Sequence, residues 1–361
     1  MSRTDVAGEG RLGIIQVGAG AWGESWARLA AEHTDWQLTA LVDLDESAAV
    51  SAGCAAGLPA ERCFTGLADA LAAGVRADAV LVAVPPAYHA PVALQALEAG
   101  LHCLIEKPLA DTTEAAQRIV DAAERTGKQV MVSQNYRFKR APRTVRRLIR
   151  EGVIGTVEEV RVDFRKHPPF EGFRLEMEEP LINDMAVHHL DQVRGILGIE
   201  PDTVRARSWN PSWSRFSGNA ACLIELDEGD RVRVVYTGSW SALGRHTTWD
   251  GDWEIQGTRG SIRWADNRVE IRFASLFDTV FLAGALERDG IMEVGLDRVA
   301  AEERGGSLAE FADALRTGRV PETNADDNLR SLALVLGAVQ SAREDGRPVD
   351  LTRLIAAPAA V

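Results

Sequence analysis

The amino-acid sequence predicts an α/β protein in two parts: a doubly wound parallel sheet, followed by an α+β domain built on a mostly antiparallel sheet. Three observations carry this prediction. An apolar run at residues 12–17 leads into a turn with three glycines, Gly18, Gly20 and Gly23. Runs rich in Val, Ile and Leu then alternate with Ala-rich stretches up to residue 134, which is typical of a parallel sheet covered on both faces. After residue 135, strand-like segments broken by Gly, Asp and Asn turns replace this alternation.

In the first part, each predicted strand is a short apolar run, and the predicted helices fill the gaps between the runs. The predicted strands are residues 12–17, 38–43, 79–84, 102–105 and 129–133. The predicted helices are residues 22–32, 46–56, 67–73, 89–99 and 113–125. Thr112 precedes the last helix and offers a side-chain cap for its first amides.

The second part begins with an amphipathic basic helix at residues 140–151. Its predicted strands are residues 157–164, 231–240, 252–256, 261–264 and 268–273, and two helices at 308–317 and 326–343 end the chain. At 361 residues the chain exceeds one ordinary hydrophobic core. We therefore expect a short disordered tail at residues 1–10, a first domain at 11–136 and a second domain at 137–361.

The glycine turn has the form of a dinucleotide-binding site. Gly18 allows a sharp turn after the strand, Gly20 lets the backbone approach a pyrophosphate, and Gly23 lets the helix pack closely on the strand. Glycine turns are also common where no nucleotide binds, but Asp43 closes the next predicted strand, where a carboxylate accepts hydrogen bonds from both adenosine-ribose hydroxyls. A 2′-phosphate would meet a like charge there. We therefore predict NAD(H) as the cofactor in preference to NADP(H).

Composition argues against two classes of partner. The chain carries 40 basic and 53 acidic residues, and its net charge of −13 has the wrong sign for binding nucleic acid or an anionic membrane surface. No segment reaches the roughly 18 apolar residues of a membrane span, and the N-terminal residues lack the apolar core of a signal peptide. The four cysteines show no paired metal-ligand spacing, so we expect buried, reduced thiols and a cytoplasmic location.

Two groups of residues are candidates for chemistry. Lys107 directly follows the strand at residues 102–105, and ligands of open parallel sheets bind beyond the carboxyl ends of strands. Its ammonium is suited to stabilising a developing alkoxide. The spacing alone favours the alternative interpretation, a solvated lysine at a strand end. If residues 180–191 are helical, Asp184 and His188 lie one turn apart, so that the carboxylate orients an imidazole acting as general base. A satisfied core histidine and a metal site are the alternatives; we expect no metal.

Cations cluster before this second group. Arg165 and Arg174 belong to a basic stretch that is suited to binding a carboxylate or a sulfonate. Solvated surface charge is the alternative interpretation of each one. We also consider Tyr136, Arg137 and His189 candidates for contact with the substrate.

The order of motifs along the chain resembles a known family. The motifs are GAGAWG at residues 18–23, Asp43, PPAYH at 85–89, EKP at 106–108, NYRF at 135–138, EGVIG at 151–155, Asp184-x-x-x-His188 and EIQGTRG at 254–260. This series resembles the glucose-fructose oxidoreductase, inositol dehydrogenase and rhizopine catabolism (Gfo/Idh/MocA) family over nearly the whole chain. One departure is the segment around Asp184, where many members carry paired glycines and this chain carries bulkier residues.

The resemblance implies a Rossmann domain, plus an open-faced sheet domain that binds substrate and often forms homodimers or homotetramers. It implies an NAD site made of Gly18, Ala19, Gly20, Ala21, Trp22, Gly23, Asp43, Pro85, His89, Glu106 and Lys107. Lys107, Asp184 and His188 match the family's catalytic positions. In that mechanism, His188 takes a hydroxyl proton while hydride leaves the same carbon, Lys107 stabilises the oxyanion, and Asp184 orients His188 or holds a substrate hydroxyl.

Three functions remain open from sequence. The first is an NAD-dependent dehydrogenase that acts on a secondary carbinol of a sugar, sugar acid or cyclitol. The second is a redox-neutral glycoside hydrolase or lyase, in which transient oxidation, elimination and re-reduction use the same residues. An anionic glycoside is a candidate substrate for this reaction. The third is a non-enzymatic sensor that binds NAD and a partner protein, against which the complete set of catalytic residues argues.

Overall fold

The computed structural model describes residues 10–274, 286–288 and 290–356. They form two compact units: the described residues up to 135 together with 301–332 make the first, and those within 136–300 and 333–356 make the second. Except for Gly10, the expected N-terminal tail lies outside the described residues. The expected second domain is one continuous stretch, 137–361, whereas the structure assigns residues 301–332 to the first unit.

The first unit is built on a parallel sheet of six strands. Their bounds are β1 Leu12–Val17, β2 Trp36–Val42, β3 Cys63–Phe64, β4 Ala79–Val82, β5 His102–Ile105 and β6 Val130–Val132. The order is β3-β2-β1-β4-β5-β6, and every neighbouring pair is parallel. The direction of winding therefore reverses between β1 and β4, where open α/β sheets bind their ligands beyond the strand ends.

The helices of this sheet are α1 Ala21–Glu32, α2 Glu46–Ala55, α3 Leu67–Ala72, α4 His89–Glu98 and α5 Thr113–Thr126. The predicted doubly wound fold is confirmed, and each predicted strand and helix is present within a few residues of its predicted bounds. Thr112 caps α5 by accepting a hydrogen bond from the amide of Ala115 at 3.1 Å. The unpredicted strand β3 has only two residues, which is too short to show a periodic pattern.

Residues 301–332 join the first unit because the helix α9, Glu303–Thr317, packs against β2. Phe311 of α9 stacks on Trp36 of β2 with ring centroids 5.6 Å apart. The indole N–H of Trp36 also donates to the carbonyl of Leu308 at 2.9 Å. All three side chains are fully buried. Periodicity could not show this contact, because the two elements are far apart in the sequence.

The second unit is built on a mixed sheet of ten strands. They are β7 Val157–Arg165, β8 Thr203–Trp209, β9 Ala221–Glu228, β10 Val232–Ser239, β11 Asp252–Gly257, β12 Gly260–Ala265, β13 Arg268–Phe273, β14 Leu286–Arg288, β15 Ile291–Val294 and β16 Val349–Asp350. The order is β14-β15-β13-β12-β11-β7-β10-β9-β8-β16, and among these described strands only β7 and β10 pair in parallel. The prediction of a mostly antiparallel sheet is confirmed.

The remaining helices are α6 Arg140–Arg150, α7 Phe173–Glu176, α8 Val187–Leu197, α10 Ala325–Arg343 and α11 Leu351–Ala356. In the sheet core, Trp253 of β11 stacks on Trp264 of β12 with centroids 5.4 Å apart. Strands β8 and β9 were not predicted; in both, charged residues alternate with buried apolar residues. Arg205 and Asp227 on these strands form an ion pair at 2.8 Å.

The expectation of buried thiols is only partly right. Cys103 and Cys222 are buried, Cys63 is partly exposed and Cys54 is exposed. Cys54 lies near the end of α2, whose buried residues Ala49, Ala52 and Gly53 form the covered face. Within the described ranges, no helix is long and apolar enough to cross a membrane.

A buried ion pair links the start of the second unit to α8. Arg137 donates from Nε to Asp191 Oδ2 at 2.6 Å and from Nη2 to Oδ1 at 2.7 Å. The side chains are only 6% and 2% exposed. Gly195 on α8 makes room for the guanidinium, because a Cβ there would lie 2.7 Å from Arg137 Nε. This bidentate pairing in the core is at odds with the expected substrate contact of Arg137, because the side chain has almost no accessible surface.

We expect Arg137→Met to lower the free energy of unfolding by about 3–5 kcal/mol, because the Asp191 carboxylate would stay buried without its cation. Urea unfolding followed by circular dichroism measures this loss. Arg125→Met is the matched control, because Arg125 also pairs with one carboxylate, that of Glu98 at 2.7 Å. Both of these side chains are about 60% exposed, so the urea concentration at the midpoint of unfolding should hardly change.

The double variant Arg137→Met, Asp191→Leu should recover most of the lost stability, because it also removes the uncompensated charge. If Arg137→Met is no less stable than Arg125→Met, the buried pair does not have the structural role described here.

Candidate active site

The candidate site residues fall into two groups, one in each unit, and each group is described by itself. The first group surrounds the turn between β1 and α1 and the end of β5. The second group surrounds the start of α8. Among the residues that the structure describes, no cluster of three or more His, Cys, Asp or Glu side chains is arranged to hold a metal ion.

Two of the three glycines in the turn are required because backbone carbonyl groups lie too close to them to allow a Cβ atom. Gly18 has φ +106°, its N–H donates to the Val42 carbonyl at 2.8 Å, and a Cβ on it would collide with the carbonyl of Ala83. A Cβ on Gly23 would collide with the carbonyl of Gly18. Any side chain at these positions would push α1 away from β1 or β4.

Gly20 differs, because a Cβ on it would meet nothing within 4 Å. It is the N-cap of α1, and no side chain of the described chain caps the first amides of that helix. Ala21 and Trp22 open the helix beside it. Open space next to uncapped amides fits a bound pyrophosphate, because both the amides and the helix dipole favour an anion.

Asp43 lies against the same turn. Its Oδ2 accepts a hydrogen bond from the amide of Ala19 at 2.7 Å, and its Oδ1 accepts one from the amide of Asp45 at 3.0 Å. The carboxylate therefore lies at the end of β2 beside the glycines, as expected for a ribose-binding residue. These residues fit a dinucleotide.

Gln16 also holds the turn, although it was not predicted as a site residue. Its buried Nε2 donates to the Gly18 carbonyl at 2.8 Å and to the Gly23 carbonyl at 2.7 Å. The available signal was a polar residue within the otherwise apolar strand β1.

Glu106 connects the turn to Lys107. Its Oε1 accepts hydrogen bonds from the indole N–H of Trp22 at 2.9 Å and of Trp26 at 2.7 Å, and its Oε2 accepts one from the Lys107 amide at 3.0 Å. The carboxylate is buried, whereas Trp22 is 54% exposed. The Arg304 guanidinium covers both indoles, 4.4 Å and 5.1 Å from the ring centroids. The partners Trp26 and Arg304 were not predicted.

The segment after β5 contains the candidate lysine. Lys107 is partly exposed, and the peptide bond to Pro108 is cis. His89 is buried, with Nδ1 2.7 Å from the Pro108 carbonyl oxygen and Nε2 2.8 Å from that of Val84. Burial lowers the pKa of His89. His89 therefore connects the loop at Val84 to the loop at Pro108. Pro85, in the same motif, is exposed.

In the second unit, the segment before α8 is not an ordinary α-helix. Leu181–Ala186 forms a π-helix, in which hydrogen bonds run to the fifth residue, and α8 begins at Val187. Asp184 lies in the π-helix and His188 in the α-helix, so the predicted spacing of one α-helical turn does not describe this pair. Short π-helical turns frequently occur at functional sites.

His188 is 8% exposed and stacks on Tyr136, with ring centroids 4.3 Å apart and planes at 13°. Lys139 lies over the same tyrosine ring, with Nζ 4.5 Å from the centroid. The stacking fixes the plane of the imidazole. Tyr136 and His188 therefore belong to one cluster of side chains.

Asp184 accepts a hydrogen bond from Arg174 Nε at 2.6 Å. Arg165, in contrast, donates from Nε to Asp163 Oδ2 at 2.8 Å, and its side chain is 52% exposed. The structure thus brings one of the two expected anion-binding arginines to a candidate catalytic residue. It pairs the other with a carboxylate of β7.

His189 is fully buried, with Nδ1 3.2 Å from the hydroxyl of Tyr236 and Nε2 3.0 Å from the Trp249 carbonyl oxygen. Burial lowers the pKa of His189 to about 4. The ring is therefore neutral at pH 7 and has no exposed surface. These surroundings argue against the substrate contact expected for His189 and indicate a core residue.

Comparison with known proteins identifies the family. Residues 12–134 match the family model described as an oxidoreductase family with an NAD-binding Rossmann fold. Residues 142–263 match the model of the GFO/IDH/MocA C-terminal domain. Lys107, Asp184 and His188 fall within these matched ranges.

Similar proteins agree with this match. The uncharacterized protein y4oX of Sinorhizobium fredii is 30% identical over 354 residues, which cover 95% of this chain and 96% of that protein. D-apiose dehydrogenase of Paraburkholderia graminis is 30% identical, covering 90% of this chain and 86% of that enzyme. An oxidoreductase from Agrobacterium radiobacter, solved with NAD⁺, L-tartaric acid and magnesium, shares the fold with a TM-score of 0.82 at 24% identity, over 96% of this chain and 100% of that chain. The chain belongs to the GFO/IDH/MocA family of NAD-binding oxidoreductases.

Proposed function

We propose that this protein is an NAD-dependent dehydrogenase that oxidises a secondary carbinol of a sugar, sugar acid or cyclitol. The observation that carries the proposal is the buried Glu106 carboxylate, which holds Trp22 of the glycine turn and the amide of Lys107 at once. A lysine tied in this way to a cofactor-binding turn is positioned for chemistry at the cofactor.

Relatives support the class of substrate. D-apiose dehydrogenase is a sugar dehydrogenase by name, and inositol 2-dehydrogenase of Rhizobium meliloti, 27% identical over 92% of this chain and 97% of that enzyme, acts on a cyclitol by name. Both names describe the dehydrogenation of a polyhydroxy compound. The residues of this chain required for that reaction are Lys107, Asp184 and His188.

The proposed mechanism assigns one task to each residue. NAD, when bound, supplies the hydride acceptor. His188 accepts the proton of the substrate hydroxyl, while Tyr136 holds the imidazole plane by stacking. Lys107 stabilises the negative charge that develops on the same oxygen. Asp184, held by Arg174, orients His188 or accepts a hydrogen bond from a neighbouring substrate hydroxyl.

Purified protein with NAD and a panel of sugars, cyclitols, sugar acids and chromogenic glycosides tests this function. Reduced-nicotinamide absorbance and aglycone release are recorded together. Accumulation of NADH with a free carbinol is expected. Release of aglycone that depends on NAD without accumulation of NADH would contradict the proposal and establish the redox-neutral glycosidase instead.

We expect Lys107→Ala and His188→Ala each to lower kcat by about 10²–10⁴-fold, because each removes one charge-stabilising or proton-accepting group from the transition state. Steady-state NADH formation measures the loss. His246→Ala is the control, because His246 is exposed and outside the proposed site, and it should retain full activity. Undiminished turnover in either site variant would show that the proposed site is wrong.

We expect NAD(H) to bind at least about 100-fold more tightly than NADP(H), because the Asp43 carboxylate would lie against the 2′-phosphate. Titration of the intrinsic fluorescence with each reduced cofactor measures both dissociation constants. Asp43→Ala should bring the dissociation constants of NADH and NADPH closer together. Asp45→Ala, which removes the neighbouring carboxylate that caps α2, should leave the ratio of the two dissociation constants unchanged. Comparable affinities for the two cofactors in the unmodified protein would contradict the prediction.

A further inference from the structure

Arg174 is held rigidly beside Asp184. Its Nε donates to Asp184 Oδ2 at 2.6 Å, and the two side chains are 34% and 17% exposed. The guanidinium carbon lies 5.1 Å from the ring centroid of Phe170 and 4.9 Å from that of Phe173. One ion pair and two aromatic rings therefore fix the orientation of this cation.

Most of the hydrogen-bonding capacity of Arg174 is still available. A guanidinium has five N–H donors, and the bond to Asp184 uses the one on Nε. Within the described part of the chain, the two terminal Nη nitrogens of Arg174 donate to no residue. One N–H of each Nη nitrogen points along the end of the guanidinium plane, and this parallel pair matches two oxygens of a carboxylate.

The buried pair in the same unit shows the contrast. Arg137 uses both Nε and Nη2 on Asp191, so its fork is occupied and enclosed. Arg174 presents the same chemistry with the fork half used and one third of the side chain exposed. In a core ion pair such as that of Arg137, the carboxylate also accepts a hydrogen bond from an Nη nitrogen. The Nη nitrogens of Arg174 make no such bond to Asp184, which is a candidate catalytic residue.

We propose that the Nη edge of Arg174 binds a carboxylate of the substrate, so that the protein acts on sugar acids in preference to neutral sugars and polyols. This inference rests on the proposed dehydrogenase. The carboxylate of the substrate is unchanged in the reaction: the carbinol carbon loses hydride to NAD⁺, its hydroxyl loses a proton, and a carbonyl forms. Because Arg174 contacts Asp184 directly, the bound carboxylate lies near the oxidised carbinol.

The proposal assigns the anion to Arg174 and not to Arg165. Arg165 is more exposed, and no aromatic ring packs on it among the ring contacts of the described residues. A guanidinium that is partly covered by rings binds an anion more strongly than a solvated one, because less water competes for its donors.

The test compares kcat/KM on matched substrate pairs that differ in a carboxylate: D-glucuronate with D-glucose, D-galacturonate with D-galactose, and D-gluconate with D-glucitol. The readout is kcat/KM for the acid divided by kcat/KM for the matched neutral substrate. Any general effect of Arg174 on Asp184 changes both values and cancels in this ratio. The unmodified protein should prefer the acid of at least one pair by about 10- to 100-fold, the range expected for a charged, bidentate hydrogen bond.

Arg174→Gln should abolish this preference, and Arg174→Lys should restore only part of it, because lysine keeps the charge but not the planar fork. Arg205→Gln removes an arginine that also pairs with one aspartate and should keep the preference. Circular dichroism of each variant shows whether it is folded; if Arg174→Gln does not fold, the preference of Arg174→Lys and the salt dependence of the acid KM decide the question.

Two failures can be told apart. If neutral substrates reduce NAD and no acid is preferred, or if Arg174→Gln keeps the preference, Arg174 has only a structural role and the inference is overturned. If no carbinol, acid or neutral, reduces NAD, the proposed dehydrogenase fails, and the inference fails with it.

Discussion

The buried carboxylate of Glu106 is the constraint on which the arrangement of the candidate residues in the first unit depends. One oxygen accepts from two indoles of α1, and the other accepts from the amide of Lys107. A buried carboxylate is costly unless it is hydrogen-bonded, and here three N–H donors compensate it. The helix that begins at the glycine turn and the strand end that carries the lysine are thereby held by one group. Arg304, from a distant part of the chain, covers the same indoles.

The second unit uses arginine–aspartate pairs for two different purposes. In the pair of Arg137 and Asp191 both charged groups are enclosed and their bonds are bidentate, which joins the chain after β6 to α8. In the pair of Arg174 and Asp184 a single bond leaves the other donors accessible. The first pair holds the scaffold of α8 together, and the second lies where this scaffold widens into a π-helix. His188 follows directly, stacked on an aromatic ring.

Under the proposed function, the candidate residues of the two units have complementary tasks. The first unit offers uncapped amides, an open glycine and a strand-end lysine, which suit an anionic dinucleotide and a developing oxyanion. The second offers an oriented imidazole and a carboxylate already paired with a cation. Membership of the GFO/IDH/MocA family agrees with this division, because separate models match the two parts of the chain.

The sequence by itself determined the fold class, the strands and helices of the first sheet, and the glycine turn with its carboxylate, because periodicity and turn chemistry are local properties of the chain. It also singled out Lys107, Asp184 and His188, through spacing and through resemblance to a family. It did not reveal that α9 packs on β2, or that Arg137 and His189 are enclosed in the core. Only the tertiary structure decided which polar groups pair with one another, because the partner of a buried charge lies far along the chain and its burial depends on the packing of the whole unit.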